Sequence, residues 1–265
     1  MKFASLGSGS RGNSTLVQFG ETLLMIDNGF SIKETDKRMQ RLGVAGEEVS
    51  AILVTHEHGD HVGGVARYAR RYNIPVWTSH GTAAMLDNID TLQCFNSHKS
   101  FELGGISIEP VLVPHDAREP TQFVFRSNDL KLGVMTDTGS ITQHMVDVLM
   151  GCDALLLECN YDREMLLNGA YPESLKRRVM GDWGHLDNQQ AIDLLQRLNT
   201  DELQHLVLAH VSEKNNSHEL VLDSVSQAIE CDRAWLDVID QDEGLPWRTL
   251  AEDVSSLDKG ERRAG

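Results

Sequence analysis

Four side chains that can bind metal ions lie within six residues, directly after an apolar run. The run 51–55 has the length and composition of a buried β-strand. On the irregular turn that must follow it, the first two of the four side chains can bind one cation while the other two reach a second cation nearby. Imidazole and carboxylate ligands suit Zn, Mn or Fe, and this pattern favours a metal site over a polar loop that is rich in histidine by coincidence. The four side chains are His56, His58, Asp60 and His61.

The elements that must position these residues alternate between short apolar runs and helical patterns. Leu194 and Leu195 belong to an apolar face that extends to Leu198, and Asp187 with Gln190 can form a capping box at the start of that helix. Such an alternation predicts an α/β layered domain, and we expect one domain over 1–250 with a disordered polar tail over 251–265. Further helical faces are formed by Ile32, Met39 and Leu42 and by Val65, Ala69 and Tyr72. The predicted strands cover roughly 3–6, 14–19, 22–27, 51–55, 75–78, 106–113, 122–126, 131–136, 154–158, 206–209 and 234–239.

The composition describes an acidic protein without a membrane span. The net charge of −16 argues against a protein that coats DNA non-specifically, although a few placed cations can still bind phosphate. The four cysteines form no CxxC pair, and the N-terminus lacks the apolar core of a signal peptide. We therefore expect a cytoplasmic protein with reduced thiols.

The Thr-His-x-His-x-Asp-His pattern at 55–61 resembles the signature of the metallo-β-lactamase superfamily. Three later strands also end in a residue that resembles a ligand of that family, namely His115, Asp137 and His210. The resemblance implies an α/β fold, the metallo-β-lactamase four-layered αβ/βα sandwich, with its metals at the strand ends. It also implies two divalent metal ions, Zn²⁺ or Mn²⁺ or else Fe, and a metal-bridging hydroxide as the nucleophile.

The resemblance implies a ligand set for each metal. One set is His56, His58 and His115, the other is Asp60, His61 and His210, and Asp137 bridges the two metals.

Four other segments resemble the YycJ/WalJ-like subfamily, in the tRNase Z-related phosphodiesterase branch of the superfamily. This resemblance implies a 5′-to-3′ exonuclease that acts on double-stranded DNA as its substrate. Asp187 departs from the subfamily pattern, which usually has serine there. The four segments are 8–14, 175–178, 184–188 and 211–216.

Other residues are candidates for catalysis or phosphate binding. His185, just before a helix N-terminus, could donate a proton to the leaving oxygen, with Glu158 orienting it and Asp60 as a further catalytic residue. A helix-capping or core histidine is the alternative for His185. The phosphate-binding candidates are Ser8, Asn13, Lys176, Arg177, Arg178, Ser212, Asn215 and Asn216, each of which could instead belong to a turn, a helix cap or a solvated basic surface.

Two other functions remain open. A small-molecule hydrolase acting on a cyclic phosphodiester or a thioester would suit the net charge of −16 better. An inactive metal-binding regulatory protein is the third reading, and the intact ligands at all seven positions argue against it.

Overall fold

The structure, a computed structural model, describes residues 1–252. Residues 253–265, most of the predicted disordered tail, lie outside the described residues. The described chain divides into two compact units: the first comprises 1–112, 117–127 and 239–249, and the second comprises 113–116, 128–238 and 250–252. The single domain over 1–250 stays a prediction.

The first unit contains a mixed seven-stranded sheet in the order β14-β1-β2-β3-β4-β5-β6. The pairs β14–β1, β1–β2 and β2–β3 are antiparallel, and β3 through β6 run parallel. In the β3–β4 register Ile26 lies opposite Leu53, so the residues that follow these two strands leave the sheet at the same edge. The strands are β1 (Lys2–Gly7), β2 (Ser14–Phe19), β3 (Thr22–Ile26), β4 (Val49–Leu53), β5 (Val76–Ser79), β6 (Leu92–Phe95) and β14 (Leu245–Thr249).

Four helices and three more strands complete the first unit. Ser31 caps α1, since its hydroxyl accepts a hydrogen bond from the Glu34 N–H, and Met39 is buried as its predicted apolar face requires. Tyr68 and Ala69 of α3 are buried in the same hydrophobic core. The helices are α1 (Ile32–Arg41), α2 (Gly59–Val62), α3 (Val65–Tyr72) and α4 (His80–Ala83), and the strands, paired antiparallel in sequence, are β7 (Phe101–Leu103), β8 (Ile106–Leu112) and β9 (Thr121–Ser127).

The second unit is built on four parallel strands with helices between them. β11 is buried along its whole length, as expected for a parallel strand covered on both faces. Met135 lies opposite Leu157, and Glu158 lies opposite Ala209, so the carboxyl ends of three strands meet at one edge. The elements are β10 (Leu130–Met135), α5 (Gln143–Leu149), β11 (Ala154–Glu158), α6 (Arg163–Asn168), α7 (Glu173–Val179), α8 (Asn188–Arg197), β12 (His205–Ala209), α9 (His218–Ala228) and β13 (Leu236–Val238).

The prediction for α8 is confirmed, including its capping box. The Asp187 carboxylate accepts from the Gln190 N–H at 2.7 Å, and the Gln190 side chain accepts from the Asp187 N–H at 3.0 Å. The strands β6, β7 and β14 were not predicted from the sequence. Among residues 1–252, no helix is long and apolar enough to cross a membrane.

Candidate metal centre

The first unit presents four of the predicted ligands on the turn after β4. His56 and His61 are buried, and the Nε2 atom of His56 lies 3.1 Å from Nδ1 of His58. The Nε2 atom of His61 lies 3.6 Å from the Asp60 carboxylate. Imidazole nitrogens and a carboxylate oxygen at these separations form a donor set that suits transition-metal ions.

Asp27 orients His61, and it is a residue that the sequence analysis missed. Its carboxylate accepts from His61 Nδ1–H at 2.8 Å and from the Thr55 hydroxyl and N–H at 2.7 and 2.8 Å. Burial raises the pKa of the Asp27 carboxyl, while His61 and Thr55 act in the opposite direction. Its position in the sequence could have identified it, because Asp27 is the charged residue at the carboxyl end of the predicted strand 22–27.

His56 is held through the same network. The Thr55 hydroxyl donates to Asp27, so it accepts from His56 Nδ1–H at 2.9 Å. With Nδ1 protonated and occupied in this way, the Nε2 atom of His56 carries the lone pair that a cation needs.

The Ser8–Ser14 segment packs against this turn through Asn13. The Asn13 side-chain amide lies 3.2 Å from the Asp60 carboxylate and 3.1 Å from Nε2 of His61. Its oxygen accepts from the Ser8 hydroxyl at 3.2 Å and from the Gly9 N–H at 2.8 Å. Asn13 therefore lies beside two candidate ligands. Ser8 is buried, and its hydroxyl donates to the Asn13 side chain.

In the second unit, Asp137 follows β10 and His210 follows β12, the two parallel strands on either side of β11. Oδ1 of Asp137 lies 2.9 Å from Nδ1 of His210. Both residues adopt left-handed backbone conformations, with φ of 51° and 52°, as does Asp27 with φ of 57°. Non-glycine residues rarely adopt this conformation, and such departures cluster at functional sites. The Asn160 amide, a further residue missed from the sequence, donates to the His210 carbonyl at 2.9 Å.

His185 and Glu158 form a hydrogen-bonded pair beside Asp137. The Nδ1 atom of His185 lies 2.7 Å from Glu158 and 3.8 Å from Asp137. The second carboxylate oxygen of the buried Glu158 accepts from the Thr138 N–H at 2.9 Å. Ligand atoms of Asp137, Glu158, His185 and His210 all lie within 4.8 Å of one another.

His115 is fixed by a backbone carbonyl. A carbonyl oxygen only accepts, so the 2.9 Å contact with the Gly184 oxygen places a proton on His115 Nδ1. Burial lowers the pKa of His115 below its usual value and thereby favours the neutral imidazole. A neutral imidazole with Nδ1–H leaves Nε2 as a metal donor.

Three histidines of the predicted ligand set thus share one arrangement. In proteins, a metal-binding histidine typically donates its second ring N–H to a carboxylate, a carbonyl or a similar acceptor. His61 donates to a carboxylate, His56 to a hydroxyl and His115 to a carbonyl. This arrangement and the donor types fit divalent cations.

The three basic candidates on α7 occupy different environments. Lys176 is buried, and its ammonium donates to the Leu167 carbonyl at 2.6 Å. Arg178 forms a two-contact ion pair with Asp116 at 2.5 and 3.2 Å. Arg177 is exposed. The sequence cluster is therefore not a uniform basic surface.

The candidates after β12 connect loops of the second unit. The buried Asn216 side chain donates to the Cys159 carbonyl at 3.0 Å and exchanges hydrogen bonds with Asn188 at 2.8 and 3.1 Å. The Ser212 hydroxyl accepts from the N–H of Asn215, which is also buried. These contacts support the loop that follows His210.

Comparison with known proteins links the chain to one family. A family model described as "Beta-lactamase superfamily domain" matches residues 22–211. A Bacillus anthracis protein named exodeoxyribonuclease YycJ is 40% identical over 238 residues, covering 87% of this chain and 89% of the relative. A Streptococcus pneumoniae protein named exodeoxyribonuclease WalJ is 32% identical over 240 residues, with the same coverage of 87% and 89%.

The crystal structure of the metallo-β-lactamase fold protein YhfI from Bacillus subtilis is similar in fold. Its TM-score is 0.72 at 13% identity, over 94% of this chain and 99% of that one. The metallo-β-lactamase fold class predicted from the sequence is confirmed.

Proposed function

The chain belongs to the beta-lactamase superfamily, in the group that includes YycJ and WalJ, and we propose on this basis that it is a 5′-to-3′ exonuclease of double-stranded DNA. The relatives named exodeoxyribonucleases support this proposal because they match along most of their own length. The superfamily consists of metal-dependent hydrolases, and the donor set of this chain fits such chemistry.

The proposed metal centre holds two divalent cations, Zn²⁺ or Mn²⁺ or else Fe. His56, His58 and His115 would bind one, Asp60, His61 and His210 the other, and Asp137 both. The observation that carries this assignment is the shared histidine arrangement, with Nδ1 of His56, His61 and His115 bound to an acceptor. Two such cations would activate a water molecule and stabilise charge on the phosphodiester oxygens.

The protein's own groups would complete the reaction. His185 is proposed to donate a proton to the departing oxygen, and the Glu158 carboxylate at 2.7 Å orients its ring. The N–H of Thr138 fixes that carboxylate in turn. Asn13, beside Asp60, is proposed to contact a phosphate oxygen of the substrate.

A small-molecule hydrolase is the second candidate, because the net charge of −16 disfavours a polyanionic substrate. An inactive regulatory protein would have no need of the ordered Glu158–His185 pair. A cytoplasmic location fits a DNA substrate and the four cysteines, all of which are free thiols.

The test compares three substrates with the metal-loaded protein: a blunt DNA duplex, bis-p-nitrophenyl phosphate and a thioester. Duplexes carrying phosphorothioates at the 5′ or the 3′ ends resolve polarity. Zn²⁺ and Mn²⁺ are supplied in parallel reactions, and Asp137→Ala is the matched inactive control.

We expect the duplex to be degraded, and 5′ phosphorothioates to block degradation. Cleavage of the small diester with no degradation of any duplex would favour the second candidate. Degradation blocked only by 3′ phosphorothioates would reverse the proposed polarity.

A further inference from the structure

Trp183 is a large, exposed aromatic side chain that lies close in sequence to the candidate proton donor His185. Its exposed fraction is 63%, the largest among the exposed large hydrophobic side chains in the described part of the chain. It lies two residues before His185, in the segment between α7 and α8. Singly exposed apolar side chains are common on protein surfaces, but tryptophan is enriched at binding interfaces, and this one lies close in the chain to a candidate catalytic residue.

The backbone that carries Trp183 is held by hydrogen bonds on both sides. The Ser140 hydroxyl donates to the Asp182 carbonyl at 3.1 Å, and the Gly184 N–H donates to the Gly181 carbonyl at 2.8 Å. The Gly184 carbonyl accepts from His115. Trp183 therefore projects from a constrained turn attached to a candidate metal ligand.

Close packing also fixes this turn. A Cβ atom at Gly184 would lie 2.2 Å from the Val179 carbonyl oxygen, and one at Gly139 would lie 2.3 Å from the Gly184 nitrogen. Gly139 follows Asp137 by two residues, so the turn packs against the segment that leaves β10. The backbone at Trp183 is thus held in place relative to the segment that carries Asp137.

We propose that Trp183 stacks on the nucleobase at the end of the DNA strand being degraded. This inference rests on the proposed exonuclease function and names a binding residue of that same site. An exonuclease must hold a terminal nucleotide whose base has a stacking neighbour on only one side. An exposed indole on a constrained turn supplies the second face without reading sequence, because every base has a π-face.

Because stacking involves the base, the contribution of Trp183 to binding of the DNA end should depend on the base and not on the phosphate. The test therefore compares a duplex with a normal 5′-terminal nucleotide with one whose 5′-terminal nucleotide is abasic. Wild type, Trp183→Ala and Trp183→Tyr are assayed on both duplexes and on bis-p-nitrophenyl phosphate. Met150→Ala, which removes another exposed hydrophobic side chain of the second unit, is the matched control.

Trp183→Ala should reduce kcat/KM on the normal end by on the order of 10-fold and leave the abasic end and the small diester unchanged. Trp183→Tyr should retain most of the activity, and Met150→Ala should behave as wild type. A second readout independent of turnover is the emission of 2-aminopurine in a one-nucleotide 5′ overhang. Binding should quench this emission in wild type and not in Trp183→Ala.

Equal rates of wild type and Trp183→Ala on the normal end, with no difference in quenching, would overturn the inference and leave the exonuclease function intact. Equal losses on all three substrates would show a structural role. A Trp183→Ala variant that is monomeric where wild type is dimeric, with no base-dependent loss, would assign Trp183 to a protein interface instead. Absence of duplex degradation by wild type would reject the exonuclease function itself.

Discussion

At the scale of single residues, the carboxylate of Asp27 controls which nitrogen of His61 is available to a metal. It accepts from Nδ1 at 2.8 Å and leaves Nε2 as the donor. Asp27→Asn should therefore weaken metal binding by about 10–100-fold, because an amide can accept from or donate to the ring and no longer fixes the tautomer. Competition with a chelator measures the affinity. Asp147→Asn, an exposed position, is the control, and unchanged affinity in Asp27→Asn would contradict this role.

Asp137 provides the test of metal stoichiometry. The Asp137 carboxylate is proposed to bind both cations. Asp137→Ala should therefore abolish turnover and weaken metal binding at both sites. Elemental analysis of wild type should find two metal ions per chain. A single ion in the fully active protein would contradict the two-metal proposal.

His185 separates proton donation from metal binding. We expect His185→Ala to retain both metals and to lose about 10²–10⁴-fold in rate on DNA. The loss should be smaller for bis-p-nitrophenyl phosphate, whose departing group needs no proton. Metal analysis and rates on both substrates check this. Loss of metal would reassign His185 as a ligand, and unchanged rates would leave it a capping residue.

At the scale of elements, the sequence predicts those helices and strands whose residue pattern lies within a single element. α8 could be predicted because its apolar spacing and the Asp187–Gln190 box are contained within one helix. The ligand positions follow from strand ends, since parallel strands bring their carboxyl ends to one edge. Asp27 was missed because its role depends on the register between β3 and β4. β6 and β7 are short and partly exposed, so they lack a buried apolar run.

For Asn216 the sequence pattern left open whether the side chain binds phosphate or supports a turn or a helix cap. Its side chain connects Asn188, at the start of α8, to the loop after β11, and it is buried. Asn216→Ala should lower the free energy of unfolding by about 1–3 kcal/mol, because buried polar partners lose their hydrogen bonds. Urea unfolding measures the change. Asn168→Ala, at an exposed site, is the control, and equal stability of the two variants would contradict this role.

At the scale of the whole molecule, the net charge of −16 must be reconciled with the proposed DNA substrate. The net field of such a protein repels a polyanion at long range, so binding depends on individual cations near the site. Two of the three α7 cations are already engaged, Lys176 by the Leu167 carbonyl and Arg178 by Asp116. Neutralising Lys176 would perturb packing, so it cannot report on DNA contacts alone.

Arg177 is exposed and lies outside the ion pair that Arg178 forms with Asp116, so it provides a cleaner test of DNA contact. If it contacts a phosphate, Arg177→Gln should weaken binding of any duplex sequence, because phosphate contacts carry no base information. The slope of log K against log salt should become shallower by about 0.9. Hydrolysis of bis-p-nitrophenyl phosphate, which lacks flanking phosphates, should not change. Lys33→Gln on α1 makes the same change of net charge at another exposed position and serves as the control. Equal effects of the two substitutions would attribute the loss to net charge rather than to a placed contact, and the DNA would then have to approach the metals by another path.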